Sequence, residues 1–324
     1  MGYLVTHILS IGVFYEKKRK TKISQRQKKK DEDIFNFKRR NQVVICQYPR
    51  LVNTIGSGEQ GIIVPCGRCL GCRTMRVSEW STRLECELDY HKDTSFLTLT
   101  YNDDYLPTGG SLRKKDLQDF YKRLRRRISQ KIKHYSVGEY GELEGRPHYH
   151  CLIFGWYPDD TYLAQAVPRR VSSKFLEDIW PFGILDIGII EPESIKYVCG
   201  YVMKKLYGVK ADKAYKSNEH PFAVMSKGIG IEYAFDNKDR IIKNLSVLRK
   251  GEDRGLPRYF VKVLGIDNKE LVKKAALKAY NIQEYHFSKG LDINELMRRY
   301  EDDRKQRILE LKARRDLFSR RKTL

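Results

Sequence analysis

No apolar run in the 324 residues approaches the roughly 20 needed to cross a bilayer, so no membrane partner is expected. A secretory leader is missing as well. The apolar stretch Ile8–Tyr15 follows a start without basic residues and lacks a small-residue cleavage site. The expected compartment is therefore a reducing cytoplasm. There the seven cysteines act as metal ligands or packing groups, not as disulfides. Prolines are few, only 10, and form no linker, and no internal repeat is present; a solenoid is excluded. Acidic residues are the scarce charge. Against 41 Asp and Glu stand 63 Lys and Arg, a formal net charge of +22. Such a chain is drawn to polyanions, and nucleic acid is the first partner to consider.

What is present supports a folded protein, with 41% hydrophobic residues. Residues 1–42 form a basic extension, and the Lys/Arg-rich run 16–40 reads as a mobile arm. Periodic sequence begins near Val43, and the main domain is placed at 43–265, followed by a basic, helical tail at 266–324. Val77, Trp80, Leu84 and Leu88 predict a helix over 73–90. FLTLTYND (96–103) predicts a strand. Ser111 is placed to cap a helix running to about Lys133, whose outer face carries KRLRRR (122–127). YSVGEY (135–140) and PHYHCLIF (147–154) read as a hairpin. A short helix over Ser172–Trp180, a strand over Ile184–Ile190 and a helix from Pro192 to near Gly208 follow. This order predicts an α+β fold with a central antiparallel sheet flanked by helices.

Three constellations carry chemistry. His148 and His150, two apart on a strand, share one face and can hold one metal ion. Glu139 on the preceding strand can add a carboxylate oxygen; ligand type alone does not choose among Mn²⁺, Mg²⁺ and Zn²⁺. In YVCGYVMKK (197–205), Tyr197, Tyr201 and Lys204 fall on one side of a helix. Ile195, Val198, Cys199, Val202 and Leu206 form the apolar stripe opposite. Tyrosines serving only the core should ride on that stripe, so this second stripe points to nucleophiles assisted by a cation. In PCGRCLGCR (65–73), Cys66, Cys69 and Cys72, with Cys46, have spacing compatible with a structural zinc; packing at the helix start is the alternative.

The ordered series PCGRCLGCR, SEWSTRLECE, FLTLTYND, GEYG with RPHYHCLIFG, YVCGYVMKK, MSKGIG (225–230) and LPRYF (256–260) covers roughly residues 43–265. It resembles the replication initiation proteins of the microviruses, most closely the gokushovirus branch. These are similar to the wider class of His-hydrophobic-His (HUH) rolling-circle endonucleases. The resemblance implies a nicking and religating enzyme acting on the origin of a circular phage DNA, double- and single-stranded, in the cytoplasm of a bacterial host. It implies His148, His150 and Glu139 as ligands of a catalytic Mg²⁺ or Mn²⁺, and Tyr197 and Tyr201 as paired nucleophiles that form a 5′-phosphotyrosine link. Host helicase and polymerase are the implied partners. Two features depart from the pattern: the middle residue of the histidine motif is the bulky Tyr149, and the family's usual start is shorter than the extension 1–40. Other readings are a plasmid initiator, relaxase or transposase of the same chemistry, a non-catalytic zinc-stabilised nucleic-acid-binding protein, and a metallohydrolase needing only the histidines.

Overall fold

The computed structural model describes residues 46–48, 50–52, 62–141, 145–164, 170–204, 206, 208–267 and scattered helical positions between 295 and 316. The arm expected at 1–42 lies outside these residues, as does most of the tail expected at 266–324. In chain order the elements are β1 (Arg50–Val52), β2 (Ile62–Val64), α1 (Leu70–Leu88), β3 (Thr94–Thr100), α2 (Lys114–Arg127), β4 (Lys133–Tyr140) and β5 (Pro147–Phe154). Then come β6 (Thr161–Leu163), β7 (Val171–Ser173), α3 (Lys174–Ile179), β8 (Leu185–Gly188), α4 (Pro192–Lys204), α5 (Val209–Tyr215), β9 (Phe222–Met225) and α6 (Ile231–Asp236). The last are α7 (Lys238–Asn244), β10 (Ser246–Arg249), β11 (Glu252–Gly255) and α8 (Arg258–Val263).

By internal packing the chain divides into two units. One spans Tyr48–Asp236; the other takes in the described residues from Asn237 onward, with Cys46 and Gln47. In the second unit the hairpin β10–β11 and helices α7 and α8 bury Ile241, Val247 and Phe260.

The first unit is built on an antiparallel sheet of order β8-β3-β5-β4-β9. The fold is α+β, with helices on both faces. Strand alternation explains why two layers are needed. On β5, Tyr149, Cys151 and Ile153 point to one face, while His148, His150, Leu152 and Phe154 point to the other. The first face is covered by α2 and α3 through Leu117, Phe120, Leu124, Leu176 and Ile179. The second is covered by α1 and α4 through Leu84, Ile195, Val198 and Cys199. Leu84 is fully buried there, a burial that stabilises by about 1.5–3 kcal/mol.

Several boundaries differ from the sequence expectation. Helix α1 begins at Leu70, three residues early, because the Cys69 thiol caps it. Helix α2 ends at Arg127, not Lys133: Ile128 turns to an extended conformation so that Lys133 can start β4 opposite Phe154. Ser111 does not cap α2. Its Oγ accepts the Glu219 N–H at 2.9 Å and donates to Leu112 O at 3.0 Å. The free amides at the helix start are satisfied from afar: Arg113 N–H donates to the Tyr149 phenol at 2.9 Å, and Lys114 N–H to Glu219 Oε2 at 2.8 Å. The expected helix over Ser172–Trp180 opens instead as strand β7, with Ser173 capping α3.

The MSKGIG segment is clamped to α1. Arg83 donates through Nε and a terminal guanidinium nitrogen to Ile229 O, at 3.2 and 3.1 Å. The buried Glu87 accepts the Gly230 N–H at 2.7 Å and the Lys133 ammonium at 3.0 Å. This clamp holds the chain leaving β9 against the helix that covers the site.

Candidate active site

The register of the sheet places three sequence candidates together. Glu139 on β4 pairs directly with His148 on β5, and His150 pairs with Thr98 on β3. Glu139 Oε1 lies 2.8 Å from His148 Nε2 and 3.4 Å from His150 Nε2. All three residues offer a ligand atom within 4.8 Å of the others.

Neighbouring groups orient both imidazoles. His148 Nδ1 is 3.1 Å from the Arg146 carbonyl, which can only accept. In the neutral imidazole that a metal ion would bind, the proton would sit on Nδ1 and the Nε2 lone pair would face the carboxylate. Two acceptors at 2.8 Å need a proton or a cation between them, so this donor set fits a divalent ion. Arg146 is itself held: its guanidinium donates to Asp103 Oδ1 at 2.6 Å and to Tyr101 O at 2.9 Å. On the other candidate ligand, His150 Nδ1 lies 3.2 Å from Thr98 Oγ1. Thr98 and Arg146 thus belong to the site and were missed in the sequence. The alternation in FLTLT, which turns Thr98 toward the histidine face, is the signal that could have found the first.

Helix α4 lies over this cluster. The Tyr201 O–H donates to the Tyr197 phenol oxygen at 2.5 Å. The Tyr201 ring stacks on His150, with centroids 5.0 Å apart, and Tyr197 meets the same imidazole edge-on at 5.3 Å. Phe96 of β3 also contacts His150, at 6.0 Å. Burial, then the charge of Glu139 and the hydrogen bond with Tyr197, push the Tyr201 phenol far above its ordinary range. The helical wheel does not anticipate this environment. It separates the tyrosines from the apolar stripe, yet Tyr201 is buried with Ile195, Val198 and Cys199 in one cluster. The reason is that α4 is covered on both sides: its apolar stripe meets α1 and its tyrosines meet the sheet. Lys204 closes α4, but its side chain lies outside the described residues.

Two other features lie elsewhere. The KRLRRR helix α2 packs on the opposite face of the sheet from the histidines, with Arg125, Arg126 and Arg127 exposed. Tyr149, the bulky middle residue of the histidine motif, points to that same opposite face. It is fully buried, and its phenol joins Tyr101 at 2.8 Å and Arg113 O at 3.0 Å.

At the start of α1, Cys69 N–H donates to Cys66 Sγ at 3.3 Å and Cys72 N–H to Cys69 Sγ at 3.4 Å, and the Cys66 and Cys72 sulfurs are 3.9 Å apart. Cys46 belongs to the other packing unit. No disulfide joins the described cysteines.

A family model described as replication-associated protein ORF2/G2P matches residues 94–206, from β3 to just past α4. The replication-associated protein ORF2 of Spiroplasma virus 4 is 34% identical over 245 residues, covering 72% of this chain and 74% of that protein. The replication-associated protein ORF4 of Chlamydia phage 1 is 32% identical over 214 residues, covering 62% of this chain and 53% of that protein. The replication-associated protein VP4 of Bdellovibrio phage phiMH2K is 31% identical over 211 residues, covering 60% and 65%. The chain thus spans about half the length of the Chlamydia phage protein. No solved structure matches. Fold, motif order and relatives together define a phage replication-associated protein. The chain belongs to the microvirus-type family of these proteins, the family its motifs resemble. No helix among the described residues is long and apolar enough to cross a membrane.

Proposed function

We propose that this protein nicks and religates the origin of a circular phage DNA through its paired tyrosines. The observation that carries the proposal is the convergence of the Tyr197 and Tyr201 phenols, hydrogen-bonded at 2.5 Å, over the sheet face that bears Glu139, His148 and His150.

Glu139, His148 and His150 would hold one divalent ion, Mg²⁺ or Mn²⁺, whose Lewis acidity would stabilise charge on the scissile phosphate. Burial and the Glu139 charge keep Tyr201 protonated in the resting protein, so its oxygen is a weak nucleophile until the site is loaded. In the reaction one phenol oxygen bonds to phosphorus and the bond from phosphorus to the 3′ oxygen breaks. The phenolic proton ends on the departing 3′ oxygen. A free 3′-OH and a 5′-phosphotyrosine remain. Host polymerase would extend the 3′-OH, with a host helicase opening the duplex. The second tyrosine would then attack the regenerated origin, and the released 3′-OH would reverse the first link and close the circle. Each exchange trades one phosphodiester for another, so neither cutting nor sealing needs ATP. Lys204, on the same helix, is proposed as the cation that favours the developing phenolate. Tyr197 and Tyr201 share one imidazole, which gives both access to the same phosphate.

Cys66, Cys69 and Cys72 are proposed to hold a structural zinc. The backbone N–H groups directed at the Cys66 and Cys69 sulfurs would stabilise thiolates there.

The test is incubation of supercoiled origin DNA with the protein and Mg²⁺ or Mn²⁺, followed by a denaturing gel. The expected products are nicked circles and a covalent protein–DNA adduct. Nicking without any adduct would favour a metallohydrolase; neither product would leave only DNA binding.

A further inference from the structure

A cleft of about 380 Å³ opens beside Glu139 and Tyr201, between α1 and the β4–β9 edge of the sheet. Its walls include Trp80, Tyr135, Tyr215, Phe222 and Met225, with Arg76 exposed at its rim. This volume is at the small end of the ~300–1,000 Å³ usual for small-molecule sites. We propose that the cleft receives one unpaired base of the DNA strand next to the phosphate that the tyrosines attack. The proposal rests on the nicking function above and adds a base-binding element to it.

Three observations support a nucleobase as the occupant. The cleft is continuous with the candidate reaction centre, since Glu139 and Tyr201 line both. Its walls are largely aromatic and only partly covered: β9 keeps all four of its apolar residues, Phe222 to Met225, half-buried. Aromatic walls bind bases of any sequence, because every base has a π-face. Finally, the Arg76 guanidinium can meet the adjoining phosphate, which an apolar peptide segment would not need.

The walls are also held in place. Arg83 lies 4.2 Å over the Trp80 ring and is tied to Ile229 O, and Trp80 contacts Tyr135 at 5.0 Å. Tyr215 stacks on Tyr140 at 5.7 Å. Gly138 gives Phe222 its place: a Cβ there would stand 3.0 Å from the Phe222 ring. Arg83 is in this sense a positioning residue for the cleft.

The tryptophans provide a direct readout. Of the three in the chain, Trp156 and Trp180 are buried, at 6% and 0% exposure, while Trp80 is half-exposed on the cleft wall. Full-length protein is titrated with a twelve-residue oligothymidylate and with an abasic strand of the same length and charge. The oligothymidylate is expected to change tryptophan fluorescence and to bind more tightly than the abasic strand. In Trp80→Phe the fluorescence change should vanish while affinity stays within a few-fold. In Trp80→Ala affinity for oligothymidylate should fall about tenfold, with the abasic strand unaffected. Tyr215→Ala, on a different element, should act in the same direction and guards against misfolding of the first variant. Equal binding of the two strands, or an equal loss on both in Trp80→Ala, would overturn the proposal. The two readings fail separately. Wild-type nicking of supercoiled DNA with base-indifferent binding rejects the cleft alone. Base-dependent binding without any covalent adduct rejects the tyrosine chemistry and leaves the cleft as a base-binding site.

Discussion

The His150 imidazole and the Tyr201 phenol ring lie nearly parallel, 11° apart in plane, with centroids separated by 5.0 Å. This stack joins a strand residue to a helix residue about fifty positions later, and it sets the rotation of α4 over the sheet. The same rotation brings Tyr197 edge-on to His150. The candidate ligands and nucleophiles therefore share one packing contact, which Tyr201→Phe keeps and His150→Ala removes.

His148→Ala and His150→Ala are each expected to lower DNA cleavage by ~10²-fold or more, the scale seen when one group stabilising a transition state is removed. Affinity for DNA should change little, since neither side chain supplies formal charge when neutral. Nicking assays in Mn²⁺ buffer beside a binding titration check this. Undiminished nicking by both variants would end the metal role.

Tyr197→Phe and Tyr201→Phe should each keep some capacity for a single covalent adduct while failing to release closed circles. The double variant should form no adduct. Phe retains the ring that stacks on His150, so no cavity opens and the loss is chemical. Peptide mapping of the adduct with a labelled origin oligonucleotide identifies the residue. DNA found on another side chain would refute the assignment.

Tyr149→Phe should destabilise the fold by about 1–3 kcal/mol, because the Arg113 N–H and carbonyl and the Tyr101 phenol all lose a buried partner. Divalent ion binding should be unchanged, as this phenol lies on the opposite face of the sheet from the histidines. A shift in the urea midpoint at constant slope, with unaltered Mn²⁺ affinity, is the expected pattern.

Acid should weaken the fold earlier than carboxylate titration alone would. Burial, aided by Arg125, lowers His134 from 6.5 to about 3. Below about pH 6.5 the unfolded chain binds a proton that the native chain refuses. Stability therefore falls as the pH drops toward 3, on the order of 1.4 kcal/mol per pH unit. His134 stacks on Tyr121 at 3.7 Å, so His134→Phe retains an aromatic surface. In that variant the slope of stability against pH between 6 and 4 should flatten, as measured by denaturant unfolding at each pH. An unchanged slope would mean that His134 is protonated in the native state.

With a formal charge of +22, the full-length protein should lose DNA affinity linearly in log–log salt titrations. A flat titration between 50 and 200 mM salt, the span over which several phosphate contacts cost orders of magnitude, would exclude phosphate-dominated binding.

The sequence by itself determined the α+β class, the antiparallel hairpin and the face of β5 that carries both histidines. These follow from period-two alternation and local turn chemistry, which involve neighbours in the chain. Family membership was equally readable, because the ordered motifs survive as short strings. Three things were decided only by tertiary structure. Tyr201 of α4 is buried and Tyr197 half-buried rather than displayed, because the helix is covered by α1 on one side and the sheet on the other; a helical wheel records directions but not what occupies them. The start of α2 is capped by Tyr149 and Glu219 instead of the adjacent Ser111, since an amide takes whichever acceptor folding brings within reach. Thr98 and Arg146 join the site through strand register and a loop contact, and the aromatic cleft forms from α1, β4, α5 and β9 together. Each of these depends on residues far apart in sequence, whose meeting is set by how whole elements pack.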